Sequence, residues 1–132
     1  MILGIGTDLC DIGRIERALE RFGERFAERI LVASEFERFR HRRKQAAYLA
    51  KRFAAKEAFS KALGTGIRFP VNWHNVWVEN ERSGKPTLKF SRPLAALLKR
   101  RGIENVYVSL TDEIGMACAF VIVEGTGGAG RK

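Results

Sequence analysis

The alternation of apolar and small polar residues at the start of the chain predicts a β-strand. Residues 2–8 alternate with a period of two, as strand residues do. Gly4, Gly6 and Asp8 fall on one face of this strand. Because two glycines on the same face leave the backbone bare, another element can approach this face very closely.

Apolar residues at a spacing of three to four predict the helices. Ile12, Ile15 and Leu19 form such a stripe in the first helix, and Ser34 followed by Glu37 is a capping-box pattern for a later one. The predicted helical segments are residues 11–22, 23–31, 35–40, 45–63 and 93–101. The fourth is the longest, is rich in Ala and Leu, and is followed by Gly64 as a C-cap.

The remaining segments predict strands and a single domain. The predicted strands are residues 74–80, 86–90, 105–111 and 115–123, and a Ser83-Gly84 turn joins the first two. Because the strands lack regular intervening helices, the pattern favours an α+β fold in which an antiparallel sheet packs against the long helix. We expect one domain over residues 1–124 and a disordered Gly-rich tail over residues 125–132.

One carboxylate on the long helix is out of place. Projected at 100° per residue, Glu57 lies in a stripe that is otherwise small or apolar, with Lys61 and Gly64 at its end. A buried carboxylate needs a cation or hydrogen-bond donors, and either Lys61 or a metal ion fits. The helix pattern alone favours a simple Glu57–Lys61 pair four residues apart. In the same way, Asp8 is explained by capping the helix that follows the first strand.

Charge indicates anionic partners without choosing among them. The 132 residues carry 24 Lys and Arg against 15 Asp and Glu, a net charge of +9. Such an excess attracts nucleic acid, anionic lipid, phosphorylated metabolites or an acidic protein. The basic run at residues 40–44 is a candidate phosphate-binding patch, although on its own the run is better explained as a solvated loop.

Several common site types are missing from the sequence. It contains no phosphate-binding loop of the Walker type and no dinucleotide fingerprint. His41 and His74 make a poor zinc set with two distant cysteines, Cys10 and Cys118, which also do not make a disulfide framework. With no signal peptide and no apolar run long enough to span a bilayer, we expect a soluble, cytoplasmic protein that binds no membrane.

Three stretches together resemble a known family. They are residues 4–8 followed by 11–15, residues 49–67, and residues 108–112 continuing through 117–124, with a Gly84-Lys85-Pro86 turn between the last two. These stretches resemble the holo-acyl-carrier-protein synthases, the short bacterial phosphopantetheinyl transferases. The resemblance covers nearly the whole chain except the Gly-rich tail, and the second stretch is long and specific.

The resemblance implies roles for particular residues. Asp8 and Glu57 match the two carboxylates that bind Mg²⁺, and Lys61 matches a lysine near the transferred phosphate, so Glu57 and Lys61 are the candidate catalytic residues. Arg14, Arg21 and Arg25 lie on the helix that meets the acidic carrier protein in the family. The positions implied in binding coenzyme A are Arg42, Arg43, Lys44, Arg52, Ser60, Lys61, Gly64, Gly84, Lys85 and Pro86.

The resemblance also implies the reaction. Such a protein transfers the 4′-phosphopantetheine arm of coenzyme A to a serine of apo acyl carrier protein. The other product is adenosine 3′,5′-bisphosphate, and the reaction supports fatty acid biosynthesis. Family members look like homotrimers with active sites between subunits. The chain departs from many members because Asp112-Glu113 stands where they carry His and an acidic residue, so no role of that His carries over.

Three rival hypotheses remain from the sequence. A basic nucleic-acid-binding module without catalytic activity would explain the charge but not Glu57 on its helix face, and we expect no nucleic acid partner. A purely structural basic subunit would leave Asp8 and Glu57 without a role. An enzyme of the same class could instead modify carrier domains of polyketide or peptide synthases.

Overall fold

The structure, a computed structural model, describes residues 1–127, in which five strands and five helices are found. In chain order they are β1 (Ile2–Asp11), α1 (Ile12–Phe22), α2 (Glu24–Ile30), α3 (Ala33–Arg40), α4 (Gln45–Leu63), β2 (Val76–Asn80), β3 (Pro86–Phe90), α5 (Arg92–Arg100), β4 (Ile103–Glu113) and β5 (Met116–Gly125). No helix within these residues is long and apolar enough to cross a bilayer.

The strands form two antiparallel sheets. Three strands pair in the order β1-β5-β4, and β2 and β3 form a separate hairpin. In the larger sheet Asp8 lies opposite Ala119 of β5, which in turn lies opposite Leu110 of β4. One face of this sheet packs against α4. The predicted antiparallel α+β fold with a long central helix is therefore confirmed.

The first strand is longer than predicted, and its end shows which aspartate caps the next helix. β1 pairs with β5 as far as Asp11, which lies opposite Met116. The Asp11 carboxylate accepts a hydrogen bond from the Gly13 nitrogen at 2.8 Å and so caps α1. The capping role considered for Asp8 is thus taken by another residue, and Asp8 lies inside the strand.

The start of α3 differs from the predicted capping box. Ser34 and Glu37 do not cap the start of the helix. Instead α3 begins at Ala33, and Glu35 accepts a hydrogen bond from the Val32 nitrogen at 3.0 Å. Glu37 instead pairs with His41 at 3.1 Å on the exposed side of the helix. The box fails because Glu35, not Glu37, points inward, where buried cations hold its carboxylate.

Helix α4 is the centre of the molecule and is buried on most of its sides. Its boundaries agree with the prediction, and Gly64 ends it in the left-handed conformation at φ 74°. The bare face of β1 meets it directly: a side chain at Gly6 would overlap the Ala58 carbonyl and lie 2.7 Å from the Ala62 nitrogen. Close approach of a strand and a helix therefore explains both glycines of β1.

The opposite side of α4 is held by a buried ammonium. The Lys56 Nζ donates to the Glu35 carboxylate at 2.7 Å and to the carbonyl oxygens of Ile30 at 2.6 Å and Trp73 at 2.8 Å. The second Glu35 oxygen accepts from the Val78 nitrogen at 2.8 Å. Since Lys56 and Glu35 are both fully buried, these contacts tie α4 to α2, α3 and β2 from within the core.

The last strand continues past the predicted end of the domain at residue 124. Gly125 belongs to β5 and lies opposite Ile103. The nitrogens of Thr126 and Gly127 both donate to the Gly102 carbonyl, at 3.0 and 3.3 Å. The rest of the predicted tail, residues 128–132, lies outside the described residues.

Candidate active site

Strand β1 and helix α4 bring Asp8, Glu57 and Lys61 together. Gly4 faces Ala62 and Gly6 faces Ala58, so the two elements run in opposite directions. Asp8, two residues further along the same face of β1, therefore lies beside the preceding turn of α4. The Lys61 Nζ lies 3.1 Å from the Asp8 carboxylate and donates to the Thr7 carbonyl at 3.0 Å.

The electrostatics place the two carboxylates in one site. Burial raises the pKa of Glu57, the negative charge of Asp8 raises it further, and the Lys61 ammonium lowers it. Two carboxylates that repel each other in this way stabilise a bound cation. Asp8 and Glu57, distant in sequence, therefore lie near enough in space for the charge of one to act on the other.

The simpler explanation of the Glu57–Lys61 spacing is not what the structure contains. Within residues 1–127, no ion pair joins Glu57 to Lys61, and the ammonium pairs with Asp8 instead. The expected apolar stripe is also only partly correct. Its alanines are buried, but Glu57 is half-buried and Lys61 and Gly64 are exposed. Glu57 therefore lies at the edge of the core, within reach of a ligand from solvent.

The donor set fits a hard divalent cation that keeps other ligands. The two carboxylates supply oxygen atoms, which suit Mg²⁺, and Mg²⁺ commonly takes one or two protein carboxylates together with water and substrate phosphate. Residues 1–127 contain no group of three or more His, Cys, Asp or Glu that would hold a metal by themselves. Asp112 is therefore not a third ligand beside them, and its carboxylate instead lies 3.5 Å from the Lys51 Nζ.

Several positions expected to bind coenzyme A are joined through one buried arginine. Arg52 stacks on the ring of Tyr48, 4.0 Å from its centroid, and the exposed Arg42 also lies over that ring at 4.9 Å. Arg52 donates to the Asn80 side chain at 3.3 Å, and Asn80 donates to the Gly84 carbonyl at 2.9 Å. The loop before α4 and the β2–β3 turn are thus connected through Arg52.

The remaining positions predicted to bind coenzyme A differ in their exposure to solvent. Arg43, Lys44, Gly84 and Lys85 are exposed, and Pro86 begins β3. Arg52 and Ser60 are buried, and the Ser60 hydroxyl donates to the Glu57 carbonyl at 2.7 Å. Direct contact of Arg52 and Ser60 with a ligand therefore stays a prediction, and the observed contacts show them supporting neighbouring residues.

The three arginines expected to meet a partner lie on two helices rather than one. Arg14 and Arg21 are on α1, whereas Arg25 is on α2, because Gly23 at φ 67° ends the first helix. All three are exposed. Arg21 lies over the ring of Phe22, which is itself 56% exposed. A shallow cavity of about 710 Å³ here is lined by Arg21, Phe22, Arg25, Phe26, Glu28, Arg29 and His74.

The sequence did not reveal the residues that support the site from behind. Glu35 and Lys56 form a fully buried ion pair on the side of α4 away from β1, and Tyr48 and Asn80 connect the two loops. Lys56 follows Ala54 and Ala55 and precedes Glu57, and nothing in this local sequence marks its ammonium as buried. Its partner, 21 residues earlier, could not be chosen without the fold.

Comparison with known proteins identifies the family. Residues 4–118 match the family model of the 4′-phosphopantetheinyl transferase superfamily. A holo-[acyl-carrier-protein] synthase of Nitrosomonas europaea is 51% identical over 124 residues, covering 94% of this chain and 99% of that protein. One of Vibrio cholerae is 50% identical, covering 94% and 98%. The chain belongs to the 4′-phosphopantetheinyl transferase superfamily.

Solved structures agree with this assignment. The crystal structure of holo-[acyl-carrier-protein] synthase from Neisseria meningitidis matches with a TM-score of 0.91 at 45% identity, covering 94% of this chain and 99% of that one. The synthase of Helicobacter pylori, solved in complex with coenzyme A, matches with a TM-score of 0.81 at 30% identity, covering 91% and 99%. The resemblance predicted from the three sequence stretches is therefore confirmed, and nothing in these comparisons supports a nucleic-acid-binding module.

Proposed function

We propose that this protein transfers the 4′-phosphopantetheine arm of coenzyme A to a serine of an apo acyl carrier protein, with Mg²⁺ held by Asp8 and Glu57. The observation that carries the proposal is the convergence of Asp8, Glu57 and Lys61 between β1 and α4. Relatives with 51% and 50% sequence identity are named holo-[acyl-carrier-protein] synthases, and this supports the reaction. Complexes of more distant relatives with coenzyme A support the donor.

The residues of the site divide the reaction between them. Mg²⁺, when bound, neutralises charge on the diphosphate as the leaving group departs. Lys61 places a second positive charge beside Asp8 for the same diphosphate. The serine oxygen forms a bond to the β-phosphorus, the bond to the bridging oxygen breaks, and adenosine 3′,5′-bisphosphate leaves. Either Glu57, whose pKa is raised by burial and by Asp8, or a water molecule polarised by the metal would accept the serine proton.

Two exposed segments are proposed to hold the rest of coenzyme A. The cationic loop at residues 42–44 supplies charge for a phosphate, and the turn at residues 84–86 supplies backbone and Lys85. Because Arg52 contacts Tyr48 on one side and Asn80 on the other, it fixes the distance between them. A preformed spacing of this kind reduces the entropy lost when a flexible ligand binds.

An acidic carrier protein is proposed to dock on the arginines of α1 and α2. Charge complementarity speeds encounter and weakens with salt. Exchanging Arg14 and Arg21 for Glu should raise the KM for the carrier at least tenfold and leave that for coenzyme A within about twofold. Arg100→Glu on α5 is the matched control and should change neither. Equal increases in both KM values would contradict docking on this surface.

The outer face of the larger sheet is proposed to hold three copies together. Ile5, Leu9, Tyr107 and Phe120 lie on this face with exposures of 59%, 67%, 47% and 39%, and α4 covers only the opposite face. A contiguous apolar face of this kind needs a partner, and a homotrimer is the assembly that the family resemblance implies. Phe120→Asp should lower the molar mass measured by light scattering from three copies to one; an unchanged mass would contradict this interface.

The setting of the reaction is proposed to be the cytoplasm and fatty acid biosynthesis. Cys10 and Cys118 are both free, and they lie on opposite faces of the sheet, as suits a reducing compartment. Incubation with several apo carriers, from fatty acid, polyketide and peptide synthases, distinguishes the proposed carrier from the alternatives. Preference for the fatty acid carrier is the expected result.

A mass measurement tests the reaction itself. Protein, Mg²⁺, coenzyme A and apo carrier are incubated, and the carrier should gain one phosphopantetheine arm. The gain should vanish with EDTA and with Asp8→Asn, and it should persist with Glu104→Gln, which removes an exposed carboxylate on β4. A carrier modified at the normal rate by Asp8→Asn without free Mg²⁺ would refute the metal site; no modification by the unaltered protein would refute the function.

A further inference from the structure

The Lys61 ammonium is bonded to the strand that carries Asp8, one of the two proposed metal ligands. The ammonium lies 3.1 Å from the Asp8 carboxylate and 3.0 Å from the Thr7 carbonyl, so it is bonded to the strand rather than only near it. A positive charge bonded to a metal-binding carboxylate competes with any cation for the same oxygen atoms. Lys61 therefore weakens the site for the ion that the proposed reaction uses.

The two partners differ in their freedom to move. The Lys61 side chain is 54% exposed, whereas that of Asp8 is 15% exposed. Lys61 projects from the last turns of α4, so its long side chain can turn away from Asp8 without movement of the backbone. The Asp8 backbone is fixed by its pairing with Ala119 of β5. Breaking the contact thus needs only a rotation of the lysine, and it needs another anion to receive the charge.

We propose that Lys61 makes binding of the divalent cation depend on the diphosphate of the substrate. When the cation comes alone, it meets Asp8 already neutralised by the ammonium and binds weakly. When a diphosphate is present, it accepts the ammonium and frees the Asp8 oxygen for the ion. The two ligands then strengthen each other's binding by the same factor, as linkage requires. This inference rests on the proposed metal site at Asp8 and Glu57.

Direct titration of the metal separates this role from catalysis. Mn²⁺ serves as the probe, and its affinity is measured by electron paramagnetic resonance at pH 8, alone and with saturating coenzyme A. We expect Lys61→Met to bind Mn²⁺ alone about three- to tenfold more tightly than the unaltered protein. Coenzyme A should strengthen Mn²⁺ binding clearly in the unaltered protein and much less in Lys61→Met. Since Lys61 is exposed, the variant should fold normally.

Two controls make every outcome decisive. Lys51→Met removes another lysine of α4 that pairs with an aspartate, Asp112, at 3.5 Å, and it should leave both affinities unchanged. Unchanged or weaker binding of Mn²⁺ alone by Lys61→Met would overturn the inference and leave the proposed reaction standing. If Asp8→Asn bound Mn²⁺ as tightly as the unaltered protein does, the metal site itself would be refuted, and the inference with it.

Discussion

Substitution of Gly6 by alanine tests how the site is assembled. A Cβ atom there would lie 2.7 Å from the Ala62 nitrogen, and it would overlap the Ala58 carbonyl even more closely. Because ordinary van der Waals contact begins at 3.4 Å, β1 and α4 must separate by roughly 0.7 Å or more. Both obstructing groups belong to the backbone of a buried helix, so no side chain can rotate out of the way.

The expected cost follows from that displacement. Overpacking of a rigid core costs about 3 kcal/mol, and we expect Gly6→Ala to lose that much free energy of unfolding in urea titrations. Activity should fall further, because moving β1 carries Asp8 away from Glu57 and Lys61. A displacement near 1 Å lowers kcat/KM by roughly ten- to a hundredfold. Both quantities are measured at a temperature where the variant is folded.

A matched glycine shows whether the effect belongs to the contact. At Gly13, in the first turn of α1, a Cβ would meet nothing closer than 3.1 Å, the Asp11 carboxylate. Because the Asp11 and Arg17 side chains can shift by a few tenths of an ångström, Gly13→Ala should change the free energy of unfolding by no more than about 1 kcal/mol in either direction. If Gly6→Ala proved as stable and as active as Gly13→Ala, the close approach of β1 and α4 would not be what positions Asp8.

Further substitutions test the charges around α4. Since burial and Asp8 raise the pKa of Glu57, ionising it costs stability as the pH rises above 4.5, its ordinary value. Glu57→Gln should then melt at a higher temperature than the unaltered protein near neutral pH without divalent ions, with no difference below about pH 4; a lower melting temperature at neutral pH would contradict the sign. Lys56→Met should lose about 3 kcal/mol in urea titrations because it removes the closest positive charge from the buried Glu35 carboxylate and leaves only Arg52, 3.9 Å away, whereas Lys89→Met on the exposed side of β3 should lose almost nothing; equal losses would contradict this. Asn80→Ala removes the hydrogen bond to the β2–β3 turn and should raise the KM for coenzyme A severalfold with kcat nearly unchanged, and a fall in kcat alone would argue against a role in binding.

The sequence is most informative where the chemistry is local. The limits of α4 are predicted correctly from its alanine-rich composition and from Gly64. Helix propensity and a C-cap depend only on the residues of the helix and on the one that follows it. The stretch around Glu57 and Lys61 is long enough to indicate the family, and Gly4 and Gly6 correctly predict a close approach to β1. That the approaching element is α4, however, follows only from the arrangement of the elements in space.

The errors come from contacts between distant parts of the chain. Glu35, not Glu37, binds the backbone at the start of α3, because Lys56 attracts the carboxylate from 21 residues away. Lys61 pairs with Asp8 rather than Glu57, because the register of β1 against α4 brings Asp8 nearer to it.

The burial of α4 limits where proteins of this kind can change. Nearly every side chain of the helix touches the sheet, the other helices or the reacting groups, so few of its positions tolerate a new residue. Variation in the preferred donor must then arise mainly in the two exposed segments proposed to bind coenzyme A, the loop at residues 42–44 and the turn at residues 84–86. An engineer who wants altered substrate preference should randomise those two segments and leave the helix as it is.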